Sequence, residues 1–353
     1  MKSMIAGQPM KTFFLSIIIY ASVALAQAPL EFHEIGDFPL ECGDTLYDCR
    51  VGFRTVGELN AAKDNAILFP TWFAGTSEHV VSLISPEKLL DPEGFFVVIV
   101  DALGNGVSTS PSNSARQPGD DFPTIVVRDM VASQRRLVEE RFGITKLHAV
   151  VGGSMGGMQT FEWMVSYPDM MKKAIPYVGS TKRSAYDLTL MRLQKDVIDV
   201  GKRHGVPDST IMGEIRTLQA LVSRTPDWLD REVAYENHDE FYAAFWTNHS
   251  ETFTVDNWRA QLVAMLAHNV AAPYDSSTTK AAARVKADAL VIVSRQDHIV
   301  YPSSAIEFAD MIDAELLVLD DDAGHLAVGA ELPLVSAAVN AFLREEPFLR
   351  EER

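Results

Sequence analysis

Cysteine is almost absent from this chain, which has only Cys42 and Cys49 among its 353 residues. No grouping of histidine, cysteine and carboxylate has metal-ligand spacing, and no glycine-rich phosphate loop is present. The sequence therefore implies neither a metal nor a nucleotide cofactor. Positive charge is also short, with 31 lysines and arginines against 48 acidic residues and a formal net charge of −17. So acidic a surface disfavours nucleic acid and anionic membranes as partners. Repeats, heptads and low-complexity tracts are missing, which excludes solenoids and coiled coils. The remaining composition, 47% hydrophobic and 22% charged, is that of a globular chain able to bury one large core.

Long apolar runs are equally scarce. The most apolar begins at Phe13 and ends with Ala24-Leu25-Ala26, 14 residues in all, behind Lys2 and Lys11. A bilayer crossing needs about 20 residues, so this segment reads as a secretory signal peptide cleaved after Ala26. An uncut membrane anchor is the alternative. Removing residues 1–26 leaves 29 basic and 48 acidic residues, a formal charge of −19. The expected location is secreted or periplasmic, with no stable membrane insertion after cleavage.

What is present is a chemistry-bearing turn. The apolar run Leu147-His148-Ala149-Val150-Val151 enters Gly152-Gly153-Ser154-Met155-Gly156-Gly157, and a helical stretch follows to Tyr167. Strand, sharp turn and helix around Gly-x-Ser-x-Gly form the nucleophile elbow of α/β-hydrolases. Serine alone is a weak nucleophile and needs a base and an acid behind it. The strand Ala289–Val293 runs into Asp297-His298, and Leu316–Leu319 runs into Asp320-Asp321-Asp322-Ala323-Gly324-His325. The order Ser, Asp, His, each past a strand's carboxyl end, is the order of that fold. The candidate catalytic residues are therefore Ser154, His325 and Asp297. Asp297 also reads as a turn residue or helix cap before Ser303, and Asp320, Asp321 and Asp322 are competing carboxylates. His298 and His79 are rim or surface candidates, and Asp101 reads as a structural loop residue.

The oxyanion hole needs two backbone N–H donors. One belongs to the residue after the nucleophile, Met155. The other is expected at Phe73, after the apolar strand Ala66–Trp72, although Trp72 and Phe73 also read as core aromatics.

The octapeptide Gly152-Gly153-Ser154-Met155-Gly156-Gly157-Met158-Gln159, followed by Glu162-Trp163 and Tyr167-Pro168, resembles the signature of homoserine O-acetyltransferases and their relatives. Val51–Asn60 resembles that family's first hairpin, and Asp101–Gly106 with Ser108–Ser112 resembles a later loop. The resemblance covers roughly residues 30–180 and 285–330. It implies an acyl-serine intermediate. In the homoserine-specific members an aspartate follows the catalytic histidine, and an arginine follows a glutamine on a lid helix. Here those positions hold Leu326 and, after Gln194, Lys195. Lysine lacks the bidentate fork of arginine, so the resemblance implies a relative acting on a less polar ester.

The expected fold is α/β, an α/β-hydrolase fold whose mostly parallel sheet is flanked by helices and carries an inserted helical lid. The expected division is a signal peptide over 1–26, a first core portion over 27–181, the lid over 182–275 and a second core portion over 276–353. The lid helices are read at Ala185–Arg203, Ser209–Ser223, Asp239–Asn248 and Asp256–Asn269. The resemblance implies a homodimer through this region. Asn248-His249-Ser250 matches a glycosylation sequon.

Cys42 and Cys49 have six residues between them and are expected to face each other across a hairpin as a disulfide, consistent with export. Two unrelated thiols are the alternative. An exported enzyme would seldom meet acetyl-coenzyme A, so water or another alcohol would resolve the acyl-serine. The expected function is a serine carboxylesterase cleaving a short-acyl ester, a small molecule. The alternatives are an O-acyltransferase and a non-catalytic binding protein.

Overall fold

Two strands without a polar break, β3 (Ala66–Pro70) and β4 (Phe96–Val100), are buried along their whole length. Strands buried on both faces are the mark of a parallel sheet covered by helices. They sit inside an eight-stranded sheet with β1 (Glu31–Pro39), β2 (Thr45–Gly57), β5 (Leu147–Gly153), β6 (Met171–Tyr177), β7 (Asp288–Ser294) and β8 (Glu315–Leu319). This computed structural model describes residues 28–247 and 253–347. The leader and the Asn248 sequon lie outside the described residues. Strand order is β1-β2-β4-β3-β5-β6-β7-β8. β2 runs antiparallel to both β1 and β4, and every later pairing is parallel. The chain thus has the α/β-hydrolase architecture, with β5, β7 and β8 ending on the same edge.

Helices connect the strands. α1 (Ser77–Val81) follows β3, α2 (Val127–Arg136) precedes β5, and α3 (Met155–Ser166) joins β5 to β6. α2 passes into a π-helical turn over Leu137–Arg141, where its sequence pattern predicts continuous helix. All but the last residue of α3 are buried, so this helix is enclosed on every face and its polar residues Gln159, Thr160 and Glu162 are buried with the rest. Between β6 and β7 the chain is helical: α4 (Ala185–Arg203), α5 (Asp208–Ser223), α6 (Pro226–Glu232), α7 (His238–Thr247), α8 (Val255–Leu266) and α9 (Thr278–Ala282). α10 (Ser303–Met311) links β7 to β8, and α11 (Ala327–Ala330) and α12 (Leu332–Arg344) close the described chain. α4 starts at a capping box in which the Ser184 hydroxyl accepts from Asp187 N–H, and Asp187 accepts from Ser184 N–H. The same Asp187 carboxylate accepts from Tyr301 N–H at 3.0 Å and pairs with buried Arg183 at 2.9 Å. One side chain therefore anchors the inserted helices to the loop after β7.

The hairpin β1–β2 overturns the expected disulfide. Its register sets Cys49 opposite Gly36 and Thr45 opposite Pro39, which leaves Cys42 in the connecting turn. Cys42 is exposed, with Sγ 3.7 Å from Asp44 Oδ2, whereas Cys49 is buried in the sheet. Both are free thiols. Burial pushes the Cys49 thiol up to about 12, so it is inert at neutral pH.

His268, between α8 and α9, is buried with Nε2 2.8 Å from Ser180 O. Burial lowers its pKa to about 3, helped by the Arg183 and Arg128 charges. The unfolded chain takes up a proton here below about pH 6.5 that the folded protein refuses, so this group's contribution is lost as pH falls through that window. His268→Gln keeps a donor for Ser180. Urea melts between pH 6.5 and 4.5 should show stability falling less steeply with acid in this variant than in the parent; parallel slopes would contradict the account.

Candidate active site

β5 ends on two glycines and α3 begins at Met155, so Ser154 must turn the chain in a single residue. It does so at φ 56° and ψ −119°, a region that costs a non-glycine residue on the order of 1–3 kcal/mol. Two hydrogen bonds hold it there: Ser154 N–H donates to Tyr177 O at 2.9 Å, and Met158 N–H donates to Ser154 O at 3.0 Å. The flanking glycines are required by crowding. A Cβ on Gly153 would run into the Tyr177 ring, and one on Gly156 would meet Pro70 O at 2.7 Å. Gln159, one turn into α3, donates to Thr71 O at 3.0 Å and so ties the elbow helix to the end of β3.

The loops after β7 and β8 converge on that serine. Ser154 Oγ lies 3.0 Å from His325 Nε2, and His325 Nδ1 lies 2.6 Å from Asp297 Oδ2. Asp297 is 1% exposed, yet its other oxygen accepts from the N–H groups of Ile299 and Val300, each at 2.8 Å. An ionised carboxylate is tolerable at that depth because both oxygens are satisfied. The turn role and the acid position thus belong to the same residue. The competing carboxylates are engaged elsewhere: Asp320 with Arg295, Asp322 with Arg231, and Asp321 with Ala323 N–H. Hydrogen bonding to Arg231 holds the Asp322 carboxyl below the usual range.

The segment after β3 carries Phe73 beside the serine. Gly75 N–H donates to Trp72 O, and Ala74 adopts a left-handed φ of 60°. Among the described residues, neither the Phe73 nor the Met155 N–H donates to a protein acceptor. The Phe73 ring packs edge-on against Phe253 and Trp258, so it is also the core aromatic its composition suggests. Asp101 is structural, accepting from Ser77 N–H at 2.7 Å and from Asn105 at 2.8 Å. His79 is exposed and stacks on Trp72, while His298 stays outside the lining of the serine's cavity.

That cavity has a volume of about 600 Å³ and holds Ser154 and His325 in its wall. Leu83, Leu89, Met191, Trp258, Leu262 and Met265 are among its apolar walls, and Gln194 and Gln219 are polar points in its roof. Among the described residues, its lining contains no Asp, Glu, Lys or Arg. Leu326 lines it, in the position where the homoserine-specific enzymes carry aspartate. Gln194 also lines it, but Lys195 turns away and pairs with Asp199 at 2.5 Å. The sequence singles out Gln194 only through its resemblance to the family's lid helix and Gln219 not at all, because glutamines on a helix carry no signal of their own. Gln194 Oε1 takes hydrogen bonds from Gln219 and from Trp258 Nε1, partners 25 and 64 residues away.

Comparison with known proteins agrees with this arrangement. The α/β hydrolase fold family matches residues 66–330. A probable esterase of Corynebacterium glutamicum is 32% identical over 330 residues, covering 86% of this chain and 92% of that protein. A homoserine O-acetyltransferase of Trichormus variabilis is 29% identical over 340 residues, covering 88% and 92%. Among solved structures, the acetyl esterase MekB superposes with a TM-score of 0.82 at 28% identity, covering 90% of this chain and 96% of that one. The chain belongs to the α/β-hydrolase fold family, and it is an enzyme of the esterase and acyltransferase kind.

The crowding at the elbow makes a stability prediction. Gly153→Ala should cost about 2 kcal/mol or more in denaturant unfolding, by overpacking against the Tyr177 ring. Adding Tyr177→Leu should recover part of that loss; strictly additive effects would sink the steric explanation.

Proposed function

We propose that this α/β-hydrolase is an exported carboxylesterase that cleaves short-acyl esters of uncharged alcohols through an acyl-serine. The observation that carries the reading is the cavity around Ser154, whose described lining holds no Asp, Glu, Lys or Arg. A zwitterionic amino alcohol would have to leave water with no counter-charge, at a cost of several kcal/mol. An alkyl ester loses only apolar hydration there, which favours binding by about 25 cal/mol per Å² buried. The acetyl esterase similarity supports a short acyl group. The homoserine O-acetyltransferase similarity keeps acyl transfer as the second reading, weakened by Leu326 and by the outward Lys195.

In the proposed reaction Ser154 Oγ attacks the ester carbonyl carbon while its proton passes to His325 Nε2. Asp297 holds the proton-bearing Nδ1 and stabilises the imidazolium. The carbonyl oxygen, now negative, takes hydrogen bonds from the Phe73 and Met155 N–H groups. The tetrahedral species expels the alcohol, which receives the proton from His325, and the acyl group stays on Ser154. Water then attacks the acyl-serine with His325 again as base, and the carboxylic acid leaves.

Purified protein beginning at Gln27 should hydrolyse p-nitrophenyl acetate steadily with water as the only acceptor, and should release no thiol from acetyl-coenzyme A plus homoserine. Thiol release that depends on the alcohol, with stalled ester hydrolysis, would make it an acyltransferase. Ser154→Ala should abolish turnover, and Asp297→Asn should lower kcat by roughly 10³–10⁴ through the wrong imidazole tautomer. Normal turnover by either variant would remove the corresponding role.

Export is supported by the leader sequence alone. N-terminal sequencing of the protein from its native cells should begin at Gln27, and an intact Met1 or Met10 would contradict cleavage.

A further inference from the structure

The inserted helices reach the proposed oxyanion loop through one side chain. Gln261, on α8, is completely buried. Its Oε1 accepts from Ala74 N–H at 3.1 Å, and its Nε2 donates to Leu103 O at 3.1 Å. Ala74 directly follows Phe73 and has a left-handed φ of 60°. Its N–H finds its acceptor on the inserted helix, at Gln261 Oε1. The rest of the loop is fixed from the sheet side: Thr71 N–H donates to Val100 O, Gln159 donates to Thr71 O, and Asn105 donates to Gly75 O. Gln261 supplies the missing contact on the far side, and it spans 187 residues of sequence to do so.

We propose that Gln261 is a positioning residue for the oxyanion hole, setting the Phe73 N–H by gripping the next peptide. This inference rests on the esterase reading. Phe73 N–H lies one peptide from the gripped group, so a small rotation of the Ala74 plane swings the donor off the oxyanion. Donors of this kind act through fixed aim rather than through strength. Loss of the grip should therefore weaken transition-state binding and leave ground-state binding intact. It also makes α8 a fixed part of the catalytic frame rather than a cover that lifts as a whole.

The experiment compares Gln261→Leu and Gln261→Met with Asn257→Leu in the full mature protein. Asn257 lies on the same helix and also bonds to the core, through Ser112, away from the Phe73 loop. It therefore reports what loosening α8 does by itself. With p-nitrophenyl acetate, the Gln261 variants should lose about 10–100-fold in kcat with KM changed less than about threefold, somewhat below the cost of deleting an oxyanion donor. A trifluoromethyl ketone, whose hemiketal oxyanion occupies the hole, should lose affinity by a similar factor, while Asn257→Leu stays near the parent in both. Parent-like kcat in either soluble Gln261 variant would overturn the inference, as would a rise confined to KM or an equal loss in Asn257→Leu. An inactive parent enzyme would instead overturn the esterase reading and this inference with it.

Discussion

The 2.6 Å contact between His325 Nδ1 and Asp297 Oδ2 joins the loops after β7 and β8, and the arrangement of the site depends on it. The carboxylate is almost fully buried, a placement that disfavours its charged form unless polar partners replace water. The Ile299 and Val300 N–H groups do so on one oxygen and the imidazole does so on the other. With the carboxylate fixed, His325 presents Nδ1 to Asp297 and Nε2 to Ser154 Oγ at 3.0 Å. The sheet makes this possible because β5, β7 and β8 run parallel and end on one edge. Asp187 extends the constraint outward, since it caps α4 and binds Tyr301 N–H in the same loop as the acid.

The elbow shows the opposite use of energy. Ser154 occupies an unfavourable backbone region, and the surroundings hold it there through Tyr177 O, Met158 N–H and four glycines, Gly152, Gly153, Gly156 and Gly157, without room for a Cβ. Strain of this order is sustainable because α3 is buried nearly throughout and cannot relax without opening the core. The conformation and the close approach of strand to helix are two consequences of the same packing.

Much of this is legible in the amino-acid sequence. Ser154, Asp297 and His325 each follow the carboxyl end of a short apolar strand, a local pattern that parallel pairing of β5, β6, β7 and β8 turns into one edge. The spans of β5, α3 and α4 follow the hydrophobic pattern closely, because burial dictates it there. The cysteine pair was misread because spacing says nothing about register: two residues seven apart can be opposite in one hairpin and offset in another. Here the turn takes Cys42 and a rung beside Gly36 takes Cys49. The glutamines were illegible for a different reason. Gln219 and Gln261 lie on helices whose faces toward the cavity are set by tertiary packing, and their partners come from distant segments.

The cavity and the scaffold point to how one architecture can serve two chemistries. Ser154, Asp297, His325 and the loop at Phe73 belong to the sheet and the loops at its edge. The groups that read a charged substrate stand on the inserted helices and on the residue after His325, where side chains change without disturbing the sheet. Leucine at 326 and an outward lysine at 195 remove charge from the cavity while leaving the serine's surroundings intact. With no Asp, Glu, Lys or Arg among the described lining residues, an uncharged ester is, on the proposed reading, the ligand whose desolvation costs least. Water, small and neutral, meets no electrostatic barrier to following it. On the proposed reading, hydrolysis follows once the groups that select a charged acceptor are gone.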